Sequence, residues 1–171
     1  MTLIVETGQA APDAQTYVSA ADCAAYHSAR GNSLFGDMTT DQQEQAIIRA
    51  CDYLQQRYRG KWKGVRANST QALDWPRYDV RLDDVGYGSY MAYVPSNTVP
   101  AEVVKAVCEL ALRAGASDLT PDIERQVIEE TIGPITTKYA PGSPQYVQFR
   151  QVDMLLQPLL DCANGVRLVR A

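Results

Sequence analysis

Histidine is nearly missing from this sequence, and so are the groupings that enzymes usually build on. His27 is the only one, and there is no Cys-x-x-Cys, no nucleophile elbow and no glycine-rich phosphate loop. No nucleophile, base and orienting partner is found in what remains, and carboxylate pairs that meet only in three dimensions stay open. No catalytic residue is assigned, and the chain is not expected to be an enzyme. His27 has no cluster of His, Cys or carboxylates beside it. Metal sites need several ligands, so it reads as a structural residue, and no metal or cofactor is expected. A basic excess is also missing. Lys and Arg number 16 against 20 Asp and Glu, a net charge of −4, which speaks against a dedicated nucleic-acid binder. No apolar run approaches the roughly 18 residues of a membrane span. The opening residues show neither a basic n-region nor a long apolar h-region, so no signal peptide is expected. Cys23, Cys51, Cys108 and Cys162 match no zinc or disulfide spacing and read as reduced, structural thiols.

What is present is helical periodicity. The clearest case is residues 100–115, PAEVVKAVCELALRAG. Pro100 suits a first helical position, Glu102 and Arg113 match the helix dipole, and Gly115 is expected to stop the helix in a left-handed conformation. Val103, Val107, Leu110 and Ala114 share one face, which Val104 and Ala111 widen. Ser19 with Asp22 opens an earlier helix that runs to about Arg30 and stops at Gly31. Thr40 with Gln43 reads as a capping box for another, which ends at Gly60 and buries Ile47, Ala50 or Cys51, Leu54 and Tyr58. Ser143-Pro144 is expected to cap the last helix, with Tyr146, Phe149, Leu156 and Leu159 or Leu160 among its apolar residues.

The remaining segments read as loops and short extended pieces. Leu3 to Val5 could form a short strand. Residues 79–93 hold Asp79, Asp83, Asp84 and three tyrosines and read as an exposed excursion or loose hairpin. Asp83-Asp84 lacks a third cation ligand at loop spacing. Residues 127–132 and 135–139 are β-rich and flank the turn signal Gly133-Pro134, although 123–130 also fits a helical turn. In Trp75-Pro76-Arg77 the proline forces Trp75 extended, so this structural motif is expected to plug the edge of a core. Between these lies the best nucleic-acid candidate, residues 57–66. Here Arg59, Lys61, Lys63 and Arg66 interleave with Trp62, and aromatics stack on bases while cations meet phosphates. The competing and favoured reading is a helix C-terminus with dipole-matched charge and a solvated loop.

Several motifs then stand in order: TLIVE with YVSAAD, AIIRACDYL, LDWPR, Val99-Pro100 with AVCELA, Gly133-Pro134 with Tyr139, and VDMLLQPLL. Together they span nearly the whole chain. This set resembles a family of small phage and prophage proteins labelled DnaT-like single-stranded-DNA-binding proteins, and it is similar to the head–tail connectors, or neck adaptors, of tailed phages. The connector likeness implies a mainly α fold, a four-to-five-helix bundle with a small β-hairpin or extended arm. It implies a single adaptor-like domain over residues 1–164 and a C-terminal docking tail over 165–171. It also implies a structural role in the virion neck, after a period in the host cytoplasm. Its partners would be the portal protein, the next neck or tail-completion protein, and the protein itself in a ring of about twelve copies. Packaged DNA would pass through the lumen. In the tail, Val166, Leu168 and Val169 with Arg167 and Arg170 fit main-chain docking onto the portal. The DnaT-like label implies instead a replication accessory that binds single strands. The connector is the favoured expectation, because mild acidity suits a lumen along which DNA slides.

Overall fold

The computed structural model describes residues 3–87, 90–122, 129–132, 135–138 and 147–161. Among these residues four helices carry the core: α1 (Ala20–Ser28), α2 (Thr40–Tyr58), α3 (Ala101–Ala116) and α4 (Arg150–Leu156), the last running into a short 3-10 turn, Gln157–Leu159. Three two-stranded antiparallel ribbons accompany them. They are β1 (Val65–Arg66) with β2 (Arg77–Tyr78), β3 (Arg81–Tyr87) with β4 (Tyr90–Tyr93), and β5 (Glu129–Ile132) with β6 (Ile135–Lys138).

The centre is the α2–α3 pair. Ala46, Ile47, Ala50, Cys51 and Leu54 of α2 are buried with Val103, Ala106, Val107, Leu110, Ala111 and Ala114 of α3. Alanines at the contact let the two backbones approach, and each buried branched side chain contributes about 1.5–3 kcal/mol. Polar ties join the other helices to this pair. Tyr26 of α1 donates to Glu109 of α3 (3.0 Å), and Arg113 bonds both that carboxylate (3.1 Å) and Gln151 of α4 (3.1 Å). Tyr58 of α2 donates to Asp153 of α4 (2.5 Å). His27 is buried and donates through Nε2 to the Cys108 carbonyl at 2.9 Å. Cys23, Cys51 and Cys108 are buried free thiols. Burial pushes the Cys51 thiol up to about 12, and a hydrogen bond with Cys108, followed by burial, raises that of Cys23.

The bundle expectation is corrected here. A layer of irregular chain, residues 59–80, fills one side of the core with Trp62, Leu73, Trp75 and Val80, where a bundle would place another helix. Loop backbone can lie there because side chains satisfy it: Tyr17 Oη accepts from the Asp74 and Trp75 amides, and Gln71 donates to the Leu73 and Pro76 carbonyls. The N-terminal loop uses the same device. The buried Glu6 carboxylate accepts from the amides of Gly8 (2.7 Å), Gln9 (2.6 Å), Ala10 (3.1 Å) and Ala11 (2.7 Å). Val5 bridges Thr16 in place of a full strand.

Helix ends shift for local reasons. Ser19 caps α1 as expected, accepting from the Asp22 amide. The capping box of α2 is Thr39 with Gln42, one residue before Thr40 with Gln43. Gln43 is taken elsewhere, donating to the carbonyls of Phe35 (2.8 Å) and Met38 (3.3 Å). Pro100 is the N-cap of α3, and Gly115 lies inside the helix, which runs on to Ala116. The end of the Met38 side chain fills the space a Cβ on Gly115 would need, so this glycine serves packing. The described part of α4 begins at Arg150, and residues 147–149 before it are not helical. The Ser143-Pro144 cap lies outside the described residues.

Candidate nucleic-acid interface

The structure takes the basic aromatic stretch apart. α2 ends at Tyr58 and Arg59 is its C-cap, as dipole matching of the last turn requires. Trp62 then turns inward. It is only 4% exposed, its Nε1 donates to Asp74 Oδ2 at 3.1 Å, and its ring meets those of Tyr58 and Trp75 at centroid distances of 5.8 and 5.7 Å. No base can stack on it in this arrangement. The cations around it have partners. Arg59 Nε lies 3.4 Å from Asp74 Oδ1, Lys61 Nζ is 5.7 Å from the centre of the Tyr58 ring, and Arg66 donates to the Gln71 carbonyl at 3.3 Å. Lys63 reaches Asp83 at 2.5 Å.

The Trp75-Pro76-Arg77 motif is the centre of this layer. Trp75 is fully buried, not at the core's edge, and the Trp75–Pro76 peptide is cis. Arg77 is buried and spreads its guanidinium over three main-chain carbonyls: Nε to Lys63 (2.9 Å), Nη1 to Asp74 (3.2 Å) and Nη2 to Gly64 (2.7 Å). Only a planar, multi-donor cation can do this. Burial lowers the Arg77 pKa. Burial likewise raises that of Asp74, against the pull of the Trp62 hydrogen bond and of Arg59 and Arg77. Gly64 adopts φ +67, and a Cβ there would strike the Tyr78 carbonyl. These contacts hold β1 onto β2 with Val65 opposite Tyr78.

The exposed sides of the β1–β2 and β3–β4 ribbons are what sequence reading missed. Val65, Tyr78, Val85, Met91 and Tyr93 are all about half exposed or more. Tyr93 sits directly opposite Arg81 across the β3–β4 ribbon. Arg81 Nε is 3.3 Å from Asp83 Oδ1, while Lys63 holds the other oxygen. The Lys63 hydrogen bond, and then its charge, keep the Asp83 carboxyl below the usual range. Two open aromatic rings therefore stand on these ribbons, Tyr93 across from Arg81 with Lys63 close by, and Tyr78 across from Val65, while Arg66 lies on the other face of β1, level with the buried Arg77. Tyr93 of the excursion was a signal, but Lys63, which lies close to its cross-strand neighbour Arg81, precedes it in another segment. The tail residues Val166, Arg167, Leu168, Val169 and Arg170 lie outside the described residues.

A family model described as "Putative DnaT-like ssDNA binding protein" matches residues 1–171. The chain belongs to this family. No curated protein and no solved structure matches it. The family's description speaks of single-stranded DNA and not of a connector, so it sides with the DnaT-like expectation over the neck-adaptor one. Among the described residues no group of three or more His, Cys, Asp or Glu is gathered as a metal ion would require, and no helix is long and apolar enough to cross a membrane.

Proposed function

We propose that this protein binds single-stranded DNA through the exposed sides of the β1–β2 and β3–β4 ribbons, with Tyr78 and Tyr93 as stacking platforms and Lys61, Lys63 and Arg81 as phosphate contacts. The family match over residues 1–171 carries the choice of ligand. The exposed rings beside cations carry the choice of surface. Each base stacked on an aromatic ring contributes about 1–3 kcal/mol without regard to sequence. Two or three phosphate contacts predict a shallow salt dependence, a log–log slope of about −1.4 to −2.1 on single strands. With the chain's net charge of −4, binding is expected to be modest and best seen at low salt.

Fluorescence anisotropy with a labelled oligothymidylate tests this. Wild type should bind at about 50 mM salt, and the Tyr78→Ala/Tyr93→Ala double variant should lose about 2 kcal/mol or more. An affinity unchanged by that double variant would refute the surface, and no binding at all would refute the function.

A structural role in a phage neck is the second reading. The observation favouring it is the apolar share of the same face, Val65, Val85 and Met91, which suits a protein partner better than a polynucleotide. Co-sedimentation with portal protein, joined to a failure to bind oligonucleotide, would decide for it.

A further inference from the structure

We propose that the Asp83 carboxylate occupies the phosphate position of this face, and that a single strand docks by displacing it from Lys63 and Arg81. The inference rests on the single-stranded-DNA reading and adds how the face is gated.

Asp83 receives one cation on each oxygen: Lys63 Nζ at 2.5 Å on Oδ2 and Arg81 Nε at 3.3 Å on Oδ1. A phosphodiester presents two non-bridging oxygens in the same way, and Arg and Lys are the side chains that meet it. Lys63 is held in place for this. Its side chain is only 15% exposed, and its ammonium also lies 3.5 Å from the Arg81 carbonyl. The carboxylate, by contrast, is loosely kept, with a side chain 62% exposed. Exposed pairs of this kind are weak.

The ribbon also gives Asp83 room to leave. Leu82 pairs with Ala92 and the next pair is Gly86 with Met91. Residues 83–85 therefore bulge out of the ladder between two adjacent positions of β4. A bulge re-aims side chains without breaking the flanking pairs. Once Asp83 swings away, a phosphate between Lys63 and Arg81 places its base next to Tyr93, the cross-strand neighbour of Arg81.

The displacement has a thermodynamic signature. Cations already neutralised by a protein carboxylate release few counterions when a phosphate replaces it. Binding to wild type should thus show a shallower salt slope than the number of its cations suggests. In Asp83→Asn both cations carry solution counterions, so the slope should steepen by about 0.7 to 1.4.

The experiment is an anisotropy titration of wild type, Asp83→Asn and Asp84→Asn with labelled oligothymidylate between about 25 and 200 mM salt. Asp84→Asn removes the same charge one residue away and controls for net charge. Circular dichroism melts establish that all three are folded. The expected result is about 3- to 10-fold tighter binding by Asp83→Asn at low salt, with the steeper slope, and a clearly smaller change for Asp84→Asn. Equal effects of the two variants, or an unchanged Asp83→Asn, would overturn the displacement while leaving single-strand binding standing. Absence of binding by all three proteins would overturn the single-strand reading and the displacement with it.

Discussion

Replacing Arg77 with Met keeps the length of the side chain and removes every donor. Three carbonyls, those of Lys63, Asp74 and Gly64, lose their partner together. A hydrogen bond from a charged group is worth about 1.5–3 kcal/mol, and the losses are not additive, since a carbonyl has a second lone pair. The buried Asp74 carboxylate also loses a nearby positive charge. Breaking a buried charged arrangement from one side typically costs about 3–5 kcal/mol. We therefore expect Arg77→Met to lower the unfolding free energy by about 3–5 kcal/mol, a large share of the 5–15 kcal/mol typical of a domain. Guanidinium denaturation followed by tryptophan fluorescence is the assay, because both tryptophans, Trp62 and Trp75, are buried in the affected layer. The midpoint should fall with little change in slope. Arg77→Lys, which keeps the charge and loses the fork, should lie between. A loss under about 1 kcal/mol for Arg77→Met would refute the view that this guanidinium holds the loop layer together.

Two further outcomes are expected. Gly64→Ala should cost about 2–4 kcal/mol in thermal denaturation, from left-handed strain and collision with the Tyr78 carbonyl; Gly60→Ala, with open space around it, should change stability little. Burial raises the Asp74 pKa in the folded state, so this group favours the fold most below the unfolded carboxyl value, and that contribution is lost as pH rises through the folded one. Asp74→Asn should therefore gain on wild type in urea midpoints taken from about pH 4 to 7, and a pH-independent difference would contradict this.

The first three helices were legible because their signals are local. Ser19 and Asp22, or the apolar faces of α2 and α3, lie within a few residues of one another. Where the reading slipped, a distant partner decided. Thr39-Thr40 precedes Gln42-Gln43, so two capping boxes fit equally well, and only the bonds of Gln43 to the Phe35 and Met38 carbonyls choose between them. Gly115 has the look of a helix stop, but Met38 makes it a packing residue. The loop layer was hidden for the same reason: Tyr17 reaches Asp74 across the chain, and Asp74 reaches Trp62. Trp62 among basic residues suggested an open ring, whereas its indole N–H had a buried carboxylate to meet. The candidate face depends on Lys63 finding Asp83, a pairing that no helical or strand period encodes.

The Glu6 carboxylate has a consequence for how the N-terminal loop breathes. Four consecutive amides, from Gly8 to Ala11, are held by one buried side chain. By its backbone this segment is coil, and coil amides ordinarily exchange with solvent quickly. These four are expected to exchange together, when the carboxylate lets go, and to share one protection factor. Gly8 also runs so close to the Asn97 carbonyl that a Cβ there would collide with it. The opening is then coupled to the chain that leads into α3. A stretch without helix or strand is then expected, on the timescale of hydrogen exchange, to open together with the turn that leads into the central helix.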